Sequence, residues 1–203
     1  VNFQMMKHPF RLKKTFSLSF FVLLCSMSFA MSNGYELWLN YDKISDDTVL
    51  KTYQNQLQSV FVEEGGATMQ AIRKELEMGL GGLLDLEIRF ESLPSSGNQL
   101  VVSKYGSLPK DFKEDINIDN LNSEGYIIKH IEKSGKDYLV ITGKEEIGLL
   151  YGVFHFLRAL KMHQSLDAMD AEESPKVDIR MLNHWDNLDR TIERGYSGFS
   201  IWN

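Results

Sequence analysis

Tyr138-Leu139-Val140-Ile141-Thr142-Gly143-Lys144-Glu145 runs directly into Glu146-Ile147-Gly148-Leu149-Leu150-Tyr151-Gly152-Val153-Phe154, and the change of period between the two halves decides the fold class. The first half is a short apolar run rich in β-branched and aromatic residues and closed by Thr-Gly, which reads as a strand. In the second half Ile147, Leu150, Tyr151, Phe154, Leu157 and Leu160 recur at helical spacing and predict one apolar helix face. Thr142-Gly143-Lys144-Glu145 has the spacing of a capping box, in which the Thr hydroxyl and the Glu side chain satisfy free backbone donors where a helix begins. Gly148 and Gly152 lie one turn apart inside the helix, although each glycine costs about 1 kcal/mol of helix propensity. Their presence predicts that the helix backbone approaches a sheet closely. A strand feeding a helix that packs back on its sheet is an α/β unit.

Outward from this passage the same two periods alternate. Residues 36–41 alternate polar and apolar and predict a first strand. Ser45-Asp46-Asp47 supplies N-caps for a helix carrying Val49, Leu50, Tyr53, Leu57, Val60 and Phe61, ended by Gly65-Gly66. A second helix starts near Thr68 with Met69, Ile72, Leu76 and Leu80 on one face, until Gly79, Gly81 and Gly82 interrupt it. These glycines follow a helix instead of opening one, so they do not form a phosphate cradle. Further strands are expected at residues 86–90, 100–102, 126–131 and 138–141. Residues 103–122 have little periodicity and read as a surface loop, and the acidic stretch 168–175, ending in Pro175, reads as a linker.

The 203 residues, 43% hydrophobic and 11% aromatic, suffice for one well-buried domain. They do not suffice for a complete eight-stranded barrel, which needs about 250. Residues 1–30 carry Lys7, Arg11, Lys13 and Lys14, no acid, and an apolar run from Phe16 to Ala30 that is shorter than a bilayer span. That is the layout of a secretory signal peptide, not a stable membrane anchor, with Ser28 and Ala30 as its cleavage site. Export to a periplasmic or extracellular location follows. The four residues before Met5 and Met6 read as upstream translation. The lone Cys25 lies inside the leader, and Leu24 before it does not suit a lipoprotein site, so the mature chain has no disulfide framework. Without the leader, 18 basic residues face 28 acidic ones, a net charge of −10. Such a surface repels phosphate backbones and argues against nucleic acid as a partner.

The polar and aromatic cluster lies late in the chain. Ile179-Arg180-Met181-Leu182 reads as a strand, followed by Asn183-His184-Trp185-Asp186-Asn187 and then Leu188-Asp189-Arg190-Thr191-Ile192-Glu193-Arg194-Gly195-Tyr196. His184 and Asp186 share a face at a strand end, but one such pair is a weak signal for acid–base chemistry. Histidine spacings fit no zinc motif, no metal site or cofactor is expected, and there is no nucleophile elbow, phosphate loop or dinucleotide fingerprint.

The Arg180-to-Trp202 string, together with Gly34-Tyr35-Glu36-Leu37-Trp38-Leu39 and the opening strand-to-helix passage, resembles the xylan-debranching α-glucuronidases of glycoside hydrolase family 67. The resemblance implies a small α/β sandwich domain at residues 31–167, of the kind that precedes hexosaminidase-type and α-glucuronidase barrels. It implies the linker 168–175 and the first strand of a truncated (β/α)8 barrel at 176–203. It also implies cofactor-free, inverting hydrolysis acting on glucuronoxylan-derived oligosaccharides, with the acid and base carboxylates supplied by later barrel strands, so that no residue of this chain is catalytic. Trp185 is then the candidate substrate contact, because an indole face stacks on the apolar face of a pyranose. The alternative for Trp185 is packing at the top of the barrel core. Asn183, His184, Asp186, Asn187 and Arg190 would build the loop that holds it, Arg190 through bidentate carboxylate contacts. Two other readings of the whole chain remain: a non-catalytic accessory or carbohydrate-binding module, and the amino-terminal domain of another glycosidase.

Overall fold

The computed structural model describes residues 40–94 and 97–181. Residues 36–39 of the expected first strand lie outside that range, and Asn40 and Tyr41 are irregular. The remaining elements run α1 (Asp47–Gln56), β1 (Ser59–Val62), α2 (Ala67–Leu84), β2 (Phe90–Glu91), β3 (Gln99–Lys104), a 3-10 turn (Tyr105–Ser107), α3 (Lys110–Lys113), β4 (Tyr126–Lys133), β5 (Lys136–Gly143), α4 (Glu146–Lys161) and β6 (Asp170–Glu173).

The strands form one sheet in the order β2-β1-β3-β5-β4-β6. The first four are mutually parallel, with Val60 opposite Phe90, Ser59 opposite Gln99 and Leu100 opposite Leu139. β4 runs antiparallel to β5, and the pair turns at Ser134-Gly135. Both turn residues have positive φ, 54° and 70°. That is the backbone a tight two-residue hairpin needs to match strand twist, and Gly135 adopts it without strain. β6 closes the other side of β4, with Ile127 opposite Glu172.

Alternation along the strands fills two cores. Leu100, Val102, Ile128, Leu139 and Ile141 are buried and share the face toward α2 and α4, which contribute Ile72, Leu76, Leu80, Leu149, Val153, Phe156 and Leu160. On the opposite face Val101, Ile127, Ile131, Tyr138 and Val140 pack with Leu108, Phe112, Ile116 and Leu121. Phe112 meets Tyr138 edge-on at 5.0 Å. Fully burying each of these apolar side chains contributes about 1.5–3 kcal/mol. The sheet is therefore covered by helices on one face and by residues 105–121 on the other.

The passage forms the expected strand followed by a helix packed on the sheet, and the glycines explain the close packing. A Cβ on Gly148 would lie 2.3 Å from the carbonyl oxygen of Gly125, and one on Gly152 would lie 2.6 Å from Ile141 Cγ2. The absence of both side chains lets α4 settle onto β4 and β5. Asp46 caps α1 as expected, accepting from the backbone N–H groups of Thr48 at 2.8 Å and Val49 at 3.1 Å.

Several expectations are corrected. Val60 and Phe61 belong to β1, because α1 ends at Gln56 and two residues suffice to switch from helix to strand. α2 continues through Gly79, Gly81 and Gly82, held by Leu80, Leu83 and Leu84 in the core, with Gly79 leaving room for Leu157. The strand expected at 86–90 is reduced to Phe90–Glu91, the part that finds a partner in β1. Residues 103–122 are not merely surface loop, since four of their apolar side chains complete a core. The stretch 168–175 holds β6, an edge strand whose charged residues suit exposure on both faces and discourage pairing with another chain. The buried stripe of α4 is Leu149, Val153, Phe156, Leu157 and Leu160, rotated from the one read from Ile147, Leu150, Tyr151 and Phe154. No strand forms over residues 176–181, where Val177, Ile179 and Met181 are 60–79% exposed. A strand forms only against a neighbour that completes its ladder and covers a face.

The capping box is not formed. Thr142 is the penultimate residue of β5, Glu145 takes the N-cap position without a side-chain cap, and α4 starts at Glu146. Thr142 Oγ1 is fully buried with no hydrogen-bond partner among the described residues. Thr142→Val should therefore raise stability by about 1 kcal/mol, the order of the penalty for an unsatisfied buried hydroxyl. A capping Thr would instead lose about 0.5–2 kcal/mol on the same change. Urea denaturation of the two proteins gives the sign, and a clear loss would restore the capping role.

Candidate functional site

In a parallel α/β sheet the crevice beyond the carboxyl ends of the strands is the usual place for a ligand, above all where successive connections leave in opposite directions. β1 and β3 flank such a point here, because β2 lies on one side of β1 and β3 on the other. The side chain that fills it is Glu63, immediately after β1. Its Oε2 accepts from Ser103 Oγ at 3.0 Å and from the Lys104 backbone N–H at 2.8 Å. Its Oε1 accepts from Ser107 Oγ at 2.8 Å and lies 3.6 Å from Lys104 Nζ. Burial pushes the carboxyl upward, but the hydrogen bonds from Ser107, Lys104 and Ser103 and the Lys104 charge outweigh it and hold Glu63 below the usual range. With both oxygens engaged, Glu63 ties the end of β1 to the turn after β3.

Beside it a shallow cleft of about 290 Å³ is lined by Glu63, Glu64, Gly65, Met69 and Arg73 among others. Arg73 stacks its guanidinium on Phe90 at 4.0 Å. The first turn of α2 borders this cleft, and its Gly66 N–H points to the Glu146 carboxylate at 3.4 Å. A carboxylate already stands where an incoming phosphate would bind, so the Gly65-Gly66 turn is no phosphate cradle.

Two histidines have partners the sequence did not indicate. His155 Nδ1 and the Tyr126 hydroxyl lie 2.9 Å apart, linking α4 to β4. Burial and the nearby Arg158 lower the His155 pKa, against a smaller opposite effect of Glu173. The lowered pKa favours the uncharged ring, and the pair links the two elements as a hydrogen-bonded latch. His130, isolated in sequence, faces Asp137 across the β4–β5 ladder at 3.2 Å. Among the described residues no three His, Cys, Asp or Glu side chains could hold a metal ion, and no helix is long and apolar enough to cross a membrane.

The third polar group surrounds the chain's exit from the sheet. Asn122 donates its backbone N–H to Ser174 Oγ, 3.2 Å away, and its Nδ2 to the Pro175 carbonyl at 3.0 Å. Arg180 binds the Glu124 carboxylate, the Val177 carbonyl and the Tyr151 hydroxyl, the last at 3.3 Å. Glu124 carries no signal in the sequence, and the helical spacing puts Tyr151 on the apolar face. The sequence-predicted residues Asn183, His184, Trp185, Asp186, Asn187 and Arg190 all lie outside the described residues.

The polar groups around Glu63, His155 and Arg180 are thus tied into internal clasps of the domain. Comparison with known proteins gives that arrangement a class, the glycoside hydrolases. The sequence model of the glycosyl hydrolase family 67 N-terminus matches residues 37–156, and that of the family 67 middle domain matches residues 159–203. The chain belongs to glycosyl hydrolase family 67, the α-glucuronidase family, as its amino-terminal part. A probable alpha-glucuronidase A of Aspergillus niger is 28% identical over 180 residues, 89% of this chain and 21% of that protein. The alpha-glucuronidase A of Aspergillus tubingensis is 26% identical over 173 residues, 85% of this chain and 20% of that protein. The chain spans about a fifth of the length of these relatives. Among solved structures, a GH138 enzyme targeting pectin rhamnogalacturonan II shares 13% identity and a TM-score of 0.38, over 60% of this chain and 15% of that one.

Proposed function

We propose that this chain is the amino-terminal part of an exported α-glucuronidase that removes (4-O-methyl)glucuronic acid from xylan-derived oligosaccharides by inverting hydrolysis, with residues 176–203 opening its catalytic (β/α)8 barrel. The observation that carries this reading is the pair of consecutive family matches spanning residues 37–156 and 159–203. Inversion requires an acid and a base carboxylate roughly 6.5–9.5 Å apart with a water between them. In this reading the carboxylates come from later barrel strands, and the engagement of Glu63, the most enclosed carboxylate beside the cleft, in its own hydrogen bonds supports a structural role for that residue.

The assay is release of 4-O-methylglucuronic acid from aldouronic acids. The 203-residue chain should show none, and a version extended through the barrel should turn over. In the extended protein Trp185→Ala should lower kcat/KM about tenfold to hundredfold with little change in Tm, as removal of about 1–3 kcal/mol of sugar stacking requires. Activity of the short chain that is abolished by mutating one of its own acids would overturn the division of labour. Normal kinetics with a large fall in Tm would make Trp185 a core residue. Export through cleavage after Ala30 rests on the basic start, the apolar run and the Ser28/Ala30 pair. Amino-terminal sequencing of the exported protein should begin at Met31, and a mature start that retains Phe20 would refute it.

A further inference from the structure

Residues 176–181 belong to no helix or strand, and their apolar side chains Val177, Ile179 and Met181 are 60%, 74% and 79% exposed. Nothing in that pattern grips the domain. Arg180 is different: its guanidinium reaches Glu124, just before β4, and Tyr151 on α4, while it also binds the carbonyl of Val177 three residues behind it. Its Cζ stands 5.7 Å from the centre of the Tyr151 ring. The Glu124 and Arg180 side chains are 35% and 38% exposed, so solvent is partly excluded from the pair.

We propose that Arg180 is an orienting clasp that seats residues 176–181 on the Glu124–Tyr151 patch and so fixes the point and direction from which the chain leaves the α/β domain. An isolated surface ion pair contributes little. Here one planar fork meets a carboxylate, a hydroxyl, a carbonyl and an aromatic ring at once, which a flexible ammonium cannot do. Asn122 holds the same strap upstream at Ser174 and Pro175, so the strap is pinned at both ends. Any residue shortly after Met181 is confined by covalent reach: five residues span at most about 18 Å. The clasp would thereby fix the point from which the chain continues past Met181.

The test uses the 203-residue chain in a Cys25→Ser background with nitroxide labels at Met181→Cys and Glu77→Cys, the latter exposed on α2. Electron–electron distance measurement should give a narrow distribution. Arg180→Gln and Glu124→Gln should each at least double its width. Arg180→Lys should leave it broad, because the ammonium cannot span the same partners. An already broad distribution in the parent, or a narrow one retained in both glutamine variants, would overturn the clasp. Far-ultraviolet circular dichroism on each variant confirms that the domain itself stays folded.

Discussion

Gly148→Val should remove about 3 kcal/mol of stability, the upper end of what overpacking a dense interior costs. The reason is the identity of the neighbour. A Cβ at this position would stand 2.3 Å from the Gly125 carbonyl oxygen and 3.2 Å from the Glu124 carbonyl carbon. A side-chain tip could rotate away, but a backbone carbonyl cannot move without carrying its loop. That loop is held from several directions, by the Lys144 ammonium on the Leu121 carbonyl, by Asn122 on Ser174 and Pro175, and by Glu124 on Arg180. Valine regains only a few tenths of a kcal/mol in helix propensity relative to glycine, so the clash decides the sign. Chemical denaturation with a common m-value measures the loss. A change within about 0.5 kcal/mol would mean that α4 can slide away from β4 freely, and that the glycine pair is not what seats it.

The same residue shows which part of the fold was legible in advance. Gly148 and Gly152 stood out because a helix retained them against propensity, and only a close backbone approach explains that. Tyr138 to Ile141, Leu100 to Val102 and Tyr126 to Ile131 were readable because strands buried on both faces are apolar runs too short to be helices. β1 was not readable. Leu57, Val60 and Phe61 prolong the helical spacing of Leu50 and Tyr53, and the switch from α1 to β1 takes only Leu57 and Gln58. The second core was hidden for a related reason: Leu108, Phe112, Ile116 and Leu121 are separated by Pro, Lys, Asp and Asn, a composition that reads as loop although four anchors suffice to cover a sheet face. β6 was missed because an edge strand needs a ladder partner but no apolar face, leaving Asp170-Ala171-Glu172-Glu173 to look like linker.

The polar sites divide along the same line. Thr142 and Glu145 have capping-box spacing, yet β5 runs one residue beyond Thr142 and takes the Thr into its ladder opposite Ser103 and Ile127. Local spacing was overruled by pairing with strands about 15 and 40 residues away in sequence, as tertiary context overrides local preference. Glu63 could not be singled out at all, since its partners Ser103, Lys104 and Ser107 come from a different strand and turn. Only the parallel register that sets Val62 opposite Val102 brings them together.

That register gives Glu63 three hydrogen-bond donors from the end of β3 and the turn after it. Glu63→Ala should cost about 1.5–3 kcal/mol at neutral pH, the range for charge-assisted hydrogen bonds whose partners are left behind. Ser103 Oγ, the Lys104 N–H and Ser107 Oγ would all lose their acceptor. Glu63→Gln keeps the shape and one carbonyl acceptor but turns a second acceptor into a donor facing other donors, so it should recover little. The pH dependence separates this clasp from simple packing. Desolvation raises the Glu63 pKa, but Ser107, Lys104 and Ser103 lower it further, so its folded value lies below the ordinary one. The unfolded chain then binds the proton more readily than the folded one, and the stabilisation is fully present above about pH 4.5 and lost as pH falls through the folded value. Parent and Glu63→Gln stabilities, measured by urea unfolding from neutral pH into the acid range, should therefore diverge at neutral pH and converge in acid. A gap that stayed constant across that range would show that the ionised carboxylate contributes nothing beyond its volume. The strand end and the β3 turn would then be held by the two cores alone.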